Sequence, residues 1–296
     1  MSTADGHHKK GNVTIVIPVS TSVPEAFEKI SLSRCLQVLH KYPIVFVVPA
    51  DMDVSWYKET CAGETNISFE RFDNQYFGST ERHSRLLLSA LFYKRFLSYE
   101  YILIHHLDVF VFEDSLLEWC KKNYYYIGGP WLQTNWHKNL YQLIVNETLS
   151  SKPLINRMLL KIIWKLSGLD DNAKLAVGNG GLSLRKVKLF YQACITYKKM
   201  LNTWRYNEDI FWSIYLPLNL PFLKLPGWKK ALEFSFDINP SVCFKYNNKN
   251  LPFGCHAWFK DELPYTGNLE FWAPIIEMKT GFKIEDKIRE SGKPAK

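Results

Sequence analysis

Two histidines and an acid stand in the middle of the stretch Tyr101–Asp114, YILIHHLDVFVFED. His105, His106 and Asp108 are polar groups too costly to bury unless they are paired, hydrogen-bonded or bound to a metal. Apolar residues flank them on both sides, Tyr101 to Ile104 before and Val109 to Phe112 after. A continuous apolar run is the pattern of a strand buried on both faces of a sheet. An acid delivered at the carboxyl end of such a strand is where an open α/β enzyme places a ligand in its cleft. The competing reading of Asp108 is a cap on the segment that follows.

Three further stretches carry groups of the same kind. In Val177 to Arg185, VGNGGLSLR, the glycines Gly178, Gly180 and Gly181 surround Asn179 and lead into an alternating strand. So much glycine ahead of a strand means backbone packed closely against a ligand or another chain segment. Asn207-Glu208-Asp209 opens a helix. Acids are stabilised at a helix start, so capping is the plain reading of this pair. His256 lies in Phe253-Gly254-Cys255-His256-Ala257-Trp258. Arg82 and Arg85, three apart near the start of a predicted helix, could meet a diphosphate there, although solvated surface arginines are the plainer reading.

These residues need elements to position them. Val13 to Val19 reads as a first buried strand, followed by a helix from Pro24 to His40 and a second strand, Ile44 to Val48. Ile67 to Phe72 is a weaker strand, and helical periodicity runs from Ser79 to Leu97. After the Tyr101 strand come a short helix, Ser115 to Lys122, and a strand, Tyr124 to Trp131, that breaks at Gly128-Gly129-Pro130. Leu182 to Arg185 is a strand, Lys186 to Leu201 a helix, and the helix opened by Glu208-Asp209 stops at Pro217. Strands alternating with helices through short connections predict an α/β fold, a parallel sheet with helices on its faces. Residues 12–278 read as one unit, between a disordered tail at 1–11 and a charged, mobile tail at 279–296.

The helix Leu154 to Leu166, LINRMLLKIIWKL, bears a basic stripe of Arg157, Lys161 and Lys165 at i, i+4 spacing. A core helix with one wet edge is the commoner origin of such a pattern. A helix lying on an anionic membrane surface is the other.

Composition narrows the classes. Hydrophobic content of 47% and charged content of 22% are those of a soluble globular protein. The formal charge of +8 favours anionic partners: nucleotide phosphates, nucleic acid or anionic headgroups. No zinc-finger, helix-turn-helix or RNP signature is present, so nucleic acid is not the expected partner. Neither GxGxxG nor GxxxxGK[ST] follows the first strand, which removes the dinucleotide and P-loop readings. The six cysteines are scattered without a CxxC pair, as expected of reduced thiols in a cytoplasmic protein. The polar start MSTADGHHKKG has no signal-peptide core, and no apolar run is long enough to cross a bilayer.

In order and spacing, YILIHHLDVFVF, YIGGPW, VGNGGLSLR, NEDIFW and PFGCHAW resemble the GT-A-type glycosyltransferases. They look closest to a bacterial polysaccharide-assembly family long catalogued as a domain of unknown function. The resemblance covers residues 12 to 275 and implies a GT-A-like, Rossmann-like α/β fold with a mixed, mostly parallel sheet flanked by helices. It implies that Asp108 stands where GT-A enzymes carry the first Asp of an Asp-x-Asp that binds a divalent metal and the sugar-nucleotide diphosphate. Phe110 replaces the second Asp. His106, which an extended strand would point to the same side, and His256 are then the expected co-ligands of Mn²⁺ or Mg²⁺. Asp209, with Glu208 beside it, is the expected base that takes the acceptor proton in an inverting transfer. The Asn179-Gly180-Gly181 backbone is expected to wall the donor sugar. Pro18, Ser20 and Asp51 are expected to hold the nucleoside, with Arg85 at the diphosphate.

The expected function is transfer of a sugar from a nucleotide-sugar to a glycan acceptor, lipid-linked, in bacterial surface polysaccharide such as O-antigen or capsule. The expected place is the cytoplasm, peripheral to the inner face of the plasma membrane. Two rivals remain. A sugar nucleotidyltransferase would carry a glycine-rich loop with a basic residue after the first strand, which Pro18-Val19-Ser20 does not offer. A glycan-binding module that kept the fold and lost the chemistry would explain the incomplete metal motif.

Overall fold

The computed structural model describes residues 12–64, 66–132, 135–150, 153–166 and 177–284. Among the described residues, nine strands form two sheets. They are β1 (Val13–Pro18), β2 (Ile44–Pro49), β3 (Ile67–Phe72), β4 (Tyr101–His105), β5 (Phe110–Val111), β6 (Tyr126–Ile127), β7 (Leu182–Lys186), β8 (Ser235–Phe236) and β9 (Gly254–Cys255). The larger sheet has the order β3-β2-β1-β4-β7-β6, and the smaller the order β5-β9-β8. β1, β2, β3 and β4 are mutually parallel, while β7 runs antiparallel to both of its neighbours. The α/β class and the mostly parallel sheet are those expected from the sequence.

The apolar runs follow from burial on both faces. Val16, Val45, Val47, Ile102 and Ile104 enter one core. Their alternating neighbours Ile15, Ile17, Ile44, Phe46, Tyr101 and Leu103 enter the other. Successive side chains of a strand point to opposite faces, so a strand with a core on each side is apolar almost throughout, with Thr14 the buried polar residue of β1 and His105 that of β4.

Several expected elements are shorter than their sequence pattern. The helix expected over Ser79–Leu97 is two, Thr80–Leu87 and Ala90–Lys94. Ser79 caps the first and Ser89 the second, each hydroxyl accepting from a backbone N–H three residues on. The helix expected over Lys186–Leu201 is likewise two, Val187–Thr196 and Lys198–Asn202. Pro217 does not stop its helix, because a π-helical turn at Phe211–Tyr215 carries the chain past it to Asn219. Tyr124–Trp131 yields only the two residues of β6. Gly128, which follows, packs so closely that a Cβ there would lie 1.7 Å from the Gly178 carbonyl oxygen.

YILIHHLDVFVF is not one strand either. β4 ends at His105, a turn closes with Val109 N–H donating to the His106 carbonyl at 3.1 Å, and β5 belongs to the other sheet.

The carboxyl end departs from expectation too. The helix Asn268–Thr280 ends on Gly281, whose φ of 73° is the left-handed cap that glycine adopts at little cost. Ile284 beyond it is buried, so the expected mobile tail does not begin at 279. Residues 1–11 and 285–296 lie outside the described residues. All six cysteines are buried thiols. Among the described residues no helix is long and apolar enough to cross a membrane. The helix Leu154–Leu166 is present, but Met158, Leu159 and Ile162 on it are exposed, so the core reading of that helix fails for these side chains.

Candidate functional site

The short strands of the smaller sheet do the positioning. β5 pairs with β9 so that Phe110 lies opposite Cys255, and β8 pairs with β9 so that Phe236 lies opposite Cys255. The residues just outside these pairings are therefore neighbours: Asp108 before β5, Asp237 after β8 and His256 after β9. His106 is fixed from the larger sheet, its backbone N–H donating to the Gly181 carbonyl at 2.9 Å. His106, Asp108 and His256 each bring one donor atom to a cluster whose members lie within 4.8 Å of one another. The three residues expected as metal ligands thus meet, although in a turn and not along one extended strand.

A second layer orients this cluster. Nε2 of His256 is 3.2 Å from Asp108 Oδ1, and its Nδ1 is 2.9 Å from Asp237 Oδ1. The indole N–H of Trp131 donates to Asp237 Oδ2 at 3.1 Å. Asn179 holds a φ of 66°, which asparagine tolerates better than most residues. Its Oδ1 accepts from the N–H groups of Gly181 and Leu182, and its amide nitrogen lies 2.9 Å from His256 Nδ1. Burial disfavours a charged His256, but the carboxylates of Asp108 and Asp237 outweigh it and push the ring up to about 10. Burial would raise Asp108, yet the facing His256 charge holds its carboxyl below the usual carboxylate range. The helix Thr80–Leu87 adds His83, whose Nε2 is 3.1 Å from His106 Nε2. Burial lowers both rings and keeps them neutral, so one donates and the other accepts.

The donor set suits a divalent cation. One carboxylate and two imidazoles match Mn²⁺ or Mg²⁺ chemistry once a cation displaces the Nε2 proton of His256, with Mn²⁺ the more tolerant of nitrogen. Asp108 Oδ1 is buried without an aligned hydrogen-bond donor. Asp237 fixes the far nitrogen of His256, the arrangement by which a carboxylate orients a metal-binding histidine.

Beside this cluster stands the acid pair. Glu208 is buried, and Arg185, wholly buried, donates to both its oxygens at 3.0 and 2.8 Å. Burial raises the Glu208 carboxyl while the guanidinium draws it back down. Both Glu208 oxygens are engaged, so its expected role as a second base does not hold. Asp209 is half-buried, and its Oδ1 accepts from Ile210 N–H at 2.8 Å. Burial, with the Glu208 charge behind it, pushes Asp209 up to about 7. Tyr265 links the two clusters. Its ring lies 5.9 Å from that of His256, and burial and then the charges of Asp237, Asp108 and Asp209 raise its hydroxyl.

The glycines have a different task from the one expected. A Cβ on Gly180 would lie 2.2 Å from Glu208 Oε1, and one on Gly181 would lie 2.2 Å from the His256 ring. Their open faces are filled by protein, so the turn holds Glu208 and His256 in place and is not a bare wall for a sugar. Pro18 ends β1, and Ser20 and Asp51 follow the carboxyl ends of β1 and β2, the sheet edge from which the His106–Asp108 turn leaves β4. Arg85 is exposed and donates to the carbonyls of Leu201 and Asn202, so its guanidinium is already engaged.

Sequence reading missed Asp237, His83, Arg185 and Tyr265. A signal existed for Asp237, since Ser235-Phe236-Asp237 repeats in miniature the strand-then-acid pattern of Asp108. Arg185 alternates with Leu184 in a strand, but nothing local to it announces Glu208.

A profile of the family described as "Protein of unknown function (DUF5672)" matches residues 66–256, a span that takes in Asp108, Asp209, Asp237 and His256. No curated protein matches the chain by sequence. Among solved structures, the galactosyltransferase LgtC in complex with donor and acceptor sugar analogs is 13% identical. It covers 94% of this chain and 99% of its own, with a TM-score of 0.50. The mannosyltransferase Ktr4p from S. cerevisiae in complex with GDP is 12% identical, covering 75% and 69%, at 0.41. Mouse xyloside xylosyltransferase 1 is 10% identical, covering 82% and 96%, at 0.47. At such identities the likeness is one of fold, and the fold is GT-A.

Proposed function

The chain belongs to the DUF5672 family of proteins of unknown function, and we propose that it is a nucleotide-sugar-dependent glycosyltransferase. One observation carries this reading: His106, Asp108 and His256 converge beside Asp209 on a GT-A scaffold. A divalent cation held by those three residues would supply positive charge to a departing nucleoside diphosphate. The likeness in fold to LgtC, whose structure holds donor and acceptor sugar analogs, agrees with a reaction between a donor and an acceptor sugar.

In the reaction proposed, the acceptor oxygen forms a bond to the anomeric carbon as the bond from that carbon to the diphosphate oxygen breaks. The electron pair leaves with the diphosphate. The acceptor proton passes to Asp209, whose carboxyl near 7 suits proton transfer at neutral pH. Attack opposite the leaving group inverts the sugar. Arg185 and Glu208 hold the start of the Asp209 helix, and Asp237 holds His256. The acceptor is proposed to be a glycan of a bacterial surface polysaccharide, carried on a lipid, which rests on the family resemblance of the sequence motifs.

The test is release of nucleoside diphosphate from a panel of nucleotide-sugars with and without Mn²⁺. We expect release that needs the cation and falls about 10²-fold or more in Asp108→Asn, the scale of a lost preorganised electrostatic group. Nucleotide binding without release from any sugar would favour the glycan-binding module instead.

A further inference from the structure

The helix Leu154–Leu166 presents a face that no described part of the chain covers. Met158, Leu159 and Ile162 are 62%, 56% and 56% exposed. At 100° per residue they span an arc of about 100°. Lys165, Lys161 and Arg157 follow in turn along one flank of that arc. Lys161 and Lys165 are exposed, whereas Arg157 is half-buried and donates to the Ser150 carbonyl at 3.1 Å. Leu160, on the opposite side, is half-buried and packs on the core, which fixes the outward direction of the apolar arc. Residues 153–166 contain these three cations and no acid.

Exposed apolar patches on this scale mark interaction surfaces. From this charge pattern we propose that the helix lies in the plane of an anionic lipid bilayer. Met158, Leu159 and Ile162 enter the boundary between headgroups and acyl chains, and Lys161 and Lys165 meet anionic headgroups. A narrow apolar arc beside cations of one sign is the pattern of an interfacial helix. A second copy of the chain fits worse. A two-fold contact would set the same patch against itself and bring lysines against lysines. The proposal stands apart from the transfer reaction, because none of these residues belongs to the site.

The experiment is co-sedimentation of the full chain with vesicles of phosphatidylcholine alone or mixed with phosphatidylglycerol. Wild type should sediment with the anionic vesicles only, and less as salt rises. Met158→Ser with Ile162→Ser should abolish sedimentation. Lys161→Glu with Lys165→Glu should weaken it by roughly 25-fold or more, at about fivefold for each cation lost near the surface. All four positions are exposed, so unchanged melting temperatures check that the variants fold. Absence of wild-type binding would overturn the proposal, as would binding untouched by either pair. A wild-type dimer in solution that the serine pair dissolves would assign the face to a second copy instead. Nucleotide-sugar turnover in detergent-free buffer is read separately, so loss of either idea leaves the other standing.

Discussion

The surroundings of Asp209 set the pH at which it would act as the base of the proposed transfer. With its carboxyl near 7, turnover should rise with pH through about 7 and level off above it. Asp209→Asn should lower turnover by roughly 10²–10⁴ and flatten this rise while nucleotide affinity, read by calorimetry, is kept. The same shift has a stability consequence of fixed sign. An unfolded aspartate titrates near ~3.9, so between about 4 and 7 the folded state binds the extra proton. Stability contributed by that proton is present at low pH and is lost as pH rises through about 7. Asp209→Asn should therefore melt above wild type at pH ~8, with the gain fading toward pH ~4. At this scale the sequence was legible where a polar group interrupts an apolar run, as at His106, Asp108 and His256. It did not show that Glu208 is paired, because the guanidinium that occupies this acid comes from Arg185 on a strand 23 residues earlier.

The turn at residues 178–181 and the ion pair behind it fix the acids and the histidine as a unit. Gly181→Ala would push a methyl into the His256 ring. Overpacking of this kind costs typically about 1–3 kcal/mol, and Mn²⁺ affinity should fall with it. Urea unfolding and a metal titration check the two together. Arg185→Met leaves Glu208 a buried carboxylate without its partner, a loss of about 3–5 kcal/mol, whereas adding Glu208→Leu should recover most of it. Equal denaturation midpoints for the single and double variants would refute a charged pair. Strands of five or six residues such as β1, β2 and β4 were readable because alternation on two buried faces leaves an unbroken apolar run. Two-residue strands such as β5, β8 and β9 carry no period at all. Their partners lie far along the chain, and only the folded register reveals them. Ser89 could have shown where the Ser79–Leu97 helix restarts, since serine favours an N-cap over a helix interior.

Across the whole molecule, the His106–Asp108–His256 cluster joins residues 106 and 108 to residue 256, so a cation held there would be linked to the complete fold. Mn²⁺ at a hundredfold excess over its dissociation constant should add about 2.7 kcal/mol of stability, read as a raised melting temperature that His256→Ala removes. The alternation of strands and helices made the class readable, while the antiparallel seat of β7 between β4 and β6 was not, because nothing in Leu182–Lys186 states its direction. That seat has a consequence for a chain being made. A ribosome delivers β1 to β4 first, and they can pair as they emerge. The outer edge of β4, apolar from Tyr101 to Ile104, then waits for residues as far as Lys186 before β7 covers it. At ~5–20 residues per second this wait lasts several seconds. An unpaired apolar edge is a template for association with a neighbouring nascent chain. Newly made protein should therefore depend on a holding chaperone over that interval, and slower elongation between codons 106 and 182 should lower the soluble yield without any change in the finished fold.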